Sequence, residues 1–316
     1  MGGRALSVEA YWELSEPAFD NSPNPKFFYP FAQHQEALIR LEYAVRHRKG
    51  CALLTGEDGC GKTLLVRRLL HRLERERYDV GLVATPCGNA VEFLTEVLYQ
   101  LGVEIRAEGK LGLLHVLSDL LFHNYQAGRD TLIVIEEAQL IEHASVFEEL
   151  RLLTNVQTDD RFLATVLLVG SRALRETLRH LGHVEQRIAI RCHLGALDLA
   201  QTASYIAHRL KIAGSLSRIF TDDAIELIFK LSGGAPRQIN NICDIALMVG
   251  YNTRALEIDP KIVADCAETP ERASGEEPSE SSSLGARPAT DDAPPGGRRP
   301  VDAAAAKDPW WPHKYL

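Results

Sequence analysis

Eight residues near the start of the chain have the spacing of a phosphate-binding loop. Gly56-Glu57-Asp58-Gly59-Cys60-Gly61-Lys62-Thr63 reads G-x-x-x-x-G-K-T, the Walker A pattern. An apolar run at 51–55 precedes it, and residues 64–77 follow with leucines at helical spacing. Since a strand, a glycine loop and a helix N-terminus together cradle phosphate, this stretch predicts a nucleotide site. We expect Gly56 to Leu64 to hold ATP, with Lys62 on the β- and γ-phosphates and the Thr63 hydroxyl on Mg²⁺.

Two acids follow the clearest predicted strand, residues 131–135. Glu136 and Glu137 would lie at the carboxyl edge of the sheet, beside the glycine loop, where open α/β sheets bind ligands. We expect Glu136 to hold Mg²⁺ through water and Glu137 to accept a proton from the attacking water. The alternative is a pair of solvated acids at a strand end.

Three arginines and one serine are further candidates for this site. Arg187 and Arg191, just before and within the last predicted strand, could reach a neighbouring subunit and stabilise charge on a transferring phosphoryl group. Arg237 follows Gly-Gly-Ala-Pro at a helix start and could touch the γ-phosphate. Ser171 follows another strand and is a candidate polar sensor. The alternative for each arginine is a surface role.

Hydrophobic periodicity predicts strands alternating with helices, followed by helices alone. The strands are expected at 51–55, 80–85, 131–135, 164–169 and 188–194, and a helix at 64–77. Capping boxes at Asn89 and Ser145 predict two helix starts, and helices at 199–213, 222–231, 236–251 and 260–267 follow the last strand. This pattern is typical of an α/β fold with a three-layer parallel sheet and a small all-helical lid.

The predicted organisation has four parts. Residues 1–30 form an extended segment rich in proline and aromatic side chains, either a coil pinned onto a folded body or a cover for the adenine. Residues 31–195 form the nucleotide-binding domain and 196–268 the helical lid. Residues 269–316 are expected to be a disordered Pro/Ser-rich tail, whose end, Trp310 to Leu316, is an unstructured terminus or a docking peptide.

Charge, apolar runs and cysteine spacing argue against several classes of protein. A net charge of -8 over 316 residues, with a pI near 5.8, does not indicate a general nucleic-acid binder. No apolar run approaches the length of a membrane span, and residues 1–11 contain no apolar signal region. Six cysteines without C-x-x-C spacing favour reduced thiols and a cytoplasmic location over a metal site.

The motifs together resemble the AAA+ ATPases of the ExeA type, the general secretion pathway A family, which are related to the transposition ATPases TniB and MuB. The resemblance spans about residues 11–268. It rests on Phe31-x-x-His34-x-Glu36-Ala37-Leu38, the Walker A loop, Ile135-Glu136-Glu137-Ala138-Gln139, Leu168-Val169-Gly170, Gln186-Arg187-Ile188 and Gly234-Ala235-Pro236-Arg237-Gln238-Ile239-Asn240.

This resemblance implies a P-loop NTPase fold with ATP held at the subunit interfaces of a homo-oligomeric ring or filament. It implies that Arg187 is the arginine finger and that Arg237 is the sensor-2 arginine of the lid. Glu136 stands where the family usually has Asp, and Ser171 where it commonly has Gln. These departures leave nucleotide binding expected and the rate of hydrolysis open.

Three functions remain as hypotheses. The first is an ATPase that hydrolyses Mg-ATP to assemble or remodel a protein complex, as in secretion or export. The second is a DNA-binding ATPase of the transposition kind, and the third is an ATP-responsive scaffold with little turnover. The basic surface available for DNA consists of Arg46, Arg48, Lys49, Arg67, Arg68, Arg72, Arg75 and Arg77.

Overall fold

A parallel β-sheet is the frame of the molecule. The structure is a computed structural model that describes residues 7–22, 24–86, 88–105, 107–159 and 161–272. In this part of the chain, five strands pair in parallel in the order β2-β3-β4-β1-β5. They are β1 (Cys51–Gly56), β2 (Tyr78–Val83), β3 (Asp130–Ile135), β4 (Ala164–Gly170) and β5 (Ile188–Leu194). β1 and β4 are buried along their whole length, so helices cover both faces and the three-layer prediction is confirmed.

The covering helices lie in sequence around the strands. They are α2 (Ala32–Arg46), α3 (Lys62–Leu70), α4 (Ala90–Gln100), α5 (Gly109–Gln126), α6 (Ala144–Leu153), α7 (Arg172–His180) and α8 (Gly182–Glu185), after a short α1 (Val8–Tyr11). The predicted capping box of α4 is confirmed, because Asn89 accepts hydrogen bonds from the amides of Val91 and Glu92, and Glu92 accepts one from the amide of Asn89. α2 packs on β5 and β1 at one edge of the sheet.

The helical part follows β5 and is all-helical, as predicted. It consists of α9 (Leu199–Ile212), α10 (Asp222–Ser232), α11 (Pro236–Thr253) and α12 (Pro260–Arg272). Its core includes Trp12, Phe19, Phe27 and Phe31 from the N-terminal segment. Residues 12–22 and 24–31, here called the strap, are therefore pinned onto the helical part. The described residues up to Ala267 belong to one compact unit.

Several predicted boundaries are wrong. α6 begins at Ala144, so Ser145 already lies in its first turn and does not cap it. α3 ends at Leu70, because the amides of Arg72 and Leu73 bond to carbonyls three residues back and tighten the chain into turns. β2 runs from Tyr78 to Val83 because the amide of Asp130 also bonds to the carbonyl of Arg77, which extends the pairing towards the chain start.

The end of the chain needs one further correction. α12 reaches Arg272, so residues 269–272 of the predicted tail are helical. The remainder of that tail, with Trp310 to Leu316, lies outside the described residues. None of the described helices combines the length and the apolar character that crossing a membrane requires.

Candidate functional site

The loop between β1 and α3 curls around the ammonium group of Lys62. Its Nζ donates hydrogen bonds to the carbonyls of Gly56 and Glu57, both at 3.0 Å, and the side chain is only 7% exposed. α3 begins at Lys62, so the amides of its first turn and the positive end of its dipole lie at the mouth of the loop. A cation and a helix N-terminus in one place suit a phosphate group.

Two glycines of this loop have left-handed backbone and lie close to residues of other elements. Gly61 has φ = 94°, and a Cβ built there would lie 3.3 Å from Nε2 of His34. Gly59 has φ = 74°, and its Cβ would lie 2.4 Å from Cβ of Arg237 in the first turn of α11. Glycine adopts such left-handed backbone at low cost. The loop is therefore in direct contact with α2 on one side and with the helical part on the other.

The two acids after β3 lie in different environments. Glu136 is buried, and the Thr63 hydroxyl donates a hydrogen bond to its Oε2 at 3.4 Å. Burial raises the pKa of Glu136 to about 7, opposed mainly by that hydrogen bond. Glu137 is half-buried, has φ = 48°, and lines the cavity beside the loop. One carboxyl group thus lies against Thr63, while the other borders open space.

Thr63 and Glu136 offer oxygen atoms of the kind that Mg²⁺ prefers. Among the described residues, no group of three or more His, Cys, Asp or Glu side chains is arranged to hold a metal ion by itself. Magnesium usually takes one or two protein oxygens and completes its shell with water and substrate phosphates. The pair therefore fits a magnesium ion that binds together with a nucleotide.

Gln139 is a site residue to which sequence reasoning gave no role. Its Nε2 donates to the carboxylate of Glu137, and its Oε1 accepts from the amide of Ser171 at 2.9 Å. It thereby joins the carboxyl ends of β3 and β4. Its place two residues after Glu137, in the motif already noted, was the available signal. Ser171 meets the site through its backbone amide and does not line the cavity.

A cavity of about 540 Å³ collects most of the predicted residues. Those that line it are Asp58, Gly59, Cys60, Gly61, Lys62, Thr63, Leu64, Glu137 and Arg237. Gly56, Glu57, Glu136, Ser171 and Arg187 do not line it. Of these, Gly56 and Glu57 contact Lys62, and Glu136 contacts Thr63, so they lie directly behind the lining.

Comparison with known proteins finds a similar family and a similar protein. A family model described as an AAA domain matches residues 45–178. The general secretion pathway protein A of Aeromonas hydrophila is 39% identical over 245 residues, which cover 76% of this chain and 44% of that protein. The chain carries an AAA domain. The resemblance to the general secretion pathway A family is confirmed, although the chain spans less than half the length of that relative.

Two solved structures share the fold of this chain. The ORC2 protein of Aeropyrum pernix, in ADPNP and ADP complexes, superposes with a TM-score of 0.61 at 19% identity, covering 83% of this chain and 73% of that one. Cdc6p of Pyrobaculum aerophilum gives 0.61 at 15% identity, covering 79% and 71%. At this level of identity the likeness concerns the fold alone.

The far end of the cavity is built by the strap and the helical part. Asp20, Asn21, Ser22 and Phe27 to Tyr29 line it, together with Tyr205, Arg209 and Asn240. Arg209 donates to the carbonyls of Ala18 and Asp20 at 2.6 and 2.7 Å and to the Tyr205 hydroxyl at 3.1 Å. Asn240 donates to Oδ1 of Asn21 at 3.0 Å. Sequence reasoning gave none of these polar residues a role at the site, although Asn240 ends one of the motifs of the family resemblance. The aromatic and proline content of the strap was the signal for its role.

Arg187 and Arg191 differ in what they contact. The Arg191 guanidinium donates to the carbonyls of Ile188 and Glu185 at 2.9 and 2.7 Å. Arg187 is exposed, and its side chain makes no hydrogen bond or ion pair with the described part of the chain. It precedes β5, whose first residue pairs with Cys51, about 17 Å of strand before Gly56. Arg187 and the glycine loop of the same chain therefore lie at opposite ends of the sheet.

Proposed function

We propose that the AAA domain binds Mg-ATP in this cavity and hydrolyses it. The observation that supports this most is the convergence of the Lys62 loop, Glu137 and Arg237 on one cavity, with Glu136 against Thr63. Lys62 and the first-turn amides of α3 hold the phosphates, and Glu137 positions and deprotonates water. Thr63 and Glu136 hold Mg²⁺, which neutralises phosphate charge when bound. Ser171, through Gln139, keeps Glu137 in place, and the aromatic strap receives the base.

Nucleotide binding is tested by removing the loop cation. Lys62→Ala takes away the ammonium group of the loop, and we expect tight ATP binding to be lost. Titration with a fluorescent ATP analogue in the presence of Mg²⁺ measures this. Lys211→Ala, at an exposed position of α9, is the matched control and keeps wild-type affinity. Equal affinity in both variants contradicts the nucleotide site, and binding without measurable turnover in the wild type favours the scaffold hypothesis.

Self-assembly completes the proposal. Because Arg187 lies at the opposite end of the sheet from its own loop, it serves the site of a neighbouring copy in a ring or filament. Wild-type specific activity then rises with protein concentration. Arg187→Ala binds ATP normally and hydrolyses it poorly, whereas Arg191→Ala, whose side chain bonds within its own chain, keeps activity.

A mixture of variants gives the sharper assay. Arg187→Ala and Lys62→Ala subunits are each inactive alone, but together they form interfaces that contain an intact Lys62 and an intact Arg187. Partial activity should therefore return on mixing. A mixture that stays inactive, together with a specific activity independent of concentration, contradicts the arginine in trans.

The partner is proposed from the relative. Since the Aeromonas relative is a general secretion pathway protein, we infer that the AAA domain assembles or remodels a protein complex of secretion or export from the cytoplasmic side. Co-purification from cells under cross-linking, with the Lys62→Ala variant as control, identifies the complex. Recovery of the same proteins with both forms contradicts an ATP-dependent association.

DNA binding is the weaker alternative. Several arginines of the basic surface are paired with acids: Arg46 with Glu42 and Glu74, Arg72 with Glu42, and Arg48 and Arg77 with Asp130. These pairs reduce the charge available to phosphates. Affinity for duplex DNA that falls steeply between 50 and 200 mM salt, as about six or more phosphate contacts require, would favour the transposition-type function instead.

A further inference from the structure

Within the described residues, the chain passes between the sheet and the helical part at two places. The strap ends at Phe31, which is buried in the core of the helical part, and α2 then packs on the sheet. After β5 the chain returns through residues 195–198, here called the connector, whose Leu197 is buried in the same core. Any change in the orientation of the helical part must bend the chain at both places.

Gln33 joins these two crossings. It lies in the first turn of α2, and its Nε2 donates to the carbonyl of Gly195 at 3.2 Å. Its Oε1 accepts from the amide of the same Gly195 at 3.1 Å. One side-chain amide thus bonds to both the backbone amide and the backbone carbonyl of Gly195, which is 162 positions away in sequence.

The next residue, His34, contacts the phosphate loop. Its Nε2 lies 2.9 Å from the carbonyl of Cys60, and since a carbonyl only accepts, Nε2 carries the proton and donates. The ring is 4% exposed, and burial lowers the pKa of His34 despite this hydrogen bond, which favours the neutral form. Because Gln33 and His34 are consecutive residues of one helix, the loop and the connector are held by the same rigid element.

A second set of contacts joins the phosphate loop and the connector through the helical part. The amide of Leu197 donates to the carbonyl of Gly234 at 2.9 Å, and a Cβ on Gly234 would lie 2.0 Å from the carbonyl oxygen of Leu197. Gly234 lies two residues before the start of α11, whose Arg237 packs on Gly59 of the loop. The loop is therefore linked to the connector twice, once through α2 and once through α11.

We propose that Gln33 is a positioning residue that couples the phosphate loop to the connector. Nucleotide in the loop fixes the Cys60–Gly61 peptide, His34 and Gln33 follow as parts of α2, and the connector sets the helical part and Arg237 over the cavity. This coupling rests on the proposed ATP function. By linkage, ATP shifts the equilibrium between orientations of the helical part by the same factor by which that orientation changes the affinity for ATP.

Hydrogen exchange at the connector measures the coupling directly. In the wild type, addition of a non-hydrolysable ATP analogue with Mg²⁺ slows exchange in a peptide that contains residues 195–197. In Gln33→Ala the Gly195 amide loses its acceptor, so exchange is faster without nucleotide and the analogue no longer slows it. kcat falls about 2- to 30-fold, the range for residues that carry coupling, while KM changes less. Gln35→Ala, exposed on the same helix, is the matched control and behaves as wild type.

A second variant separates coupling from a loss of fold. Gln33→Glu keeps the acceptor for the Gly195 amide but loses the donor to its carbonyl, so it retains protection without nucleotide and has an intermediate kcat. If Gln33→Ala is unfolded in a urea titration, this variant decides the outcome. Wild-type turnover and wild-type nucleotide response in Gln33→Glu, or in a folded Gln33→Ala, overturn the coupling alone. A wild-type chain that binds no nucleotide overturns the proposed function itself.

Discussion

The two ends of the cavity are built in different ways. At the loop end, the contacts are local and largely with the backbone: Lys62 bonds to carbonyls five and six residues earlier. At the strap end, side chains join segments that are far apart, since Arg209 bonds to Ala18 and Asn240 to Asn21 across 191 and 219 positions. The loop end is therefore a motif set on a strand and a helix, whereas the strap end exists only when the tertiary structure is complete.

This comparison predicts that changes at the loop end affect chemistry and leave folding intact. Glu137→Gln keeps the shape of the side chain but removes the base, so turnover should fall by about 10²–10⁴-fold while ATP affinity stays the same. Steady-state ATPase assays and nucleotide titration measure the two quantities. Glu142→Gln, exposed five residues later, is the control. Normal turnover in Glu137→Gln combined with an inactive Glu136→Gln would show that the two acids have exchanged roles.

At the strap end, a single side chain should affect stability instead. Arg209→Met keeps an apolar stem in place of the buried guanidinium and removes its hydrogen bonds to Ala18, Asp20 and Tyr205. The free energy of unfolding should fall by about 3 kcal/mol, because charged hydrogen bonds are lost and buried acceptors remain. Urea denaturation measures it. Arg218→Met, at an exposed ion pair with Asp222, should cost less than about 1 kcal/mol. Similar losses in both variants contradict the structural role of Arg209.

The smallest expected effect concerns one hydrogen bond of the strap. Trp12 donates from Nε1 to the carbonyl of Leu247 at 2.9 Å, and Trp12→Phe keeps an aromatic ring but no donor. Unfolding free energy should fall by about 1 kcal/mol from the lost hydrogen bond, with a further loss from the smaller ring. Tyr11→Phe, which loses the bond from its hydroxyl to Ala255, is half-buried and should cost less. If Trp12→Phe unfolds at the wild-type urea concentration, the strap does not depend on this contact.

The same difference explains what the sequence could predict. The loop, β1 and α3 follow from residues 51–70 because local spacing and glycine requirements fix them. β1, β3 and β4 were found because continuous apolar runs reveal buried parallel strands. No such pattern marks Arg209, because two of its acceptors lie in the strap and the third lies one turn away on α9. Gln33 has no distinguishing signal either, because its spacing is that of any polar residue on a helix. Ser145 was misread as a cap because a matching spacing, S-x-x-E, does not determine where the helix starts.

The position of the strap has a consequence for synthesis of the chain. Trp12, Phe19 and Phe27 leave the ribosome early, yet the core that receives them is built from residues 197–266. The sheet and its loop can assemble once the chain up to Leu194 has left the ribosome, while the strap lacks the helices that bury it until the last of them follow. Its aromatic side chains are exposed to chaperones during that interval. Translation therefore completes the phosphate loop first and the opposite wall of the cavity last.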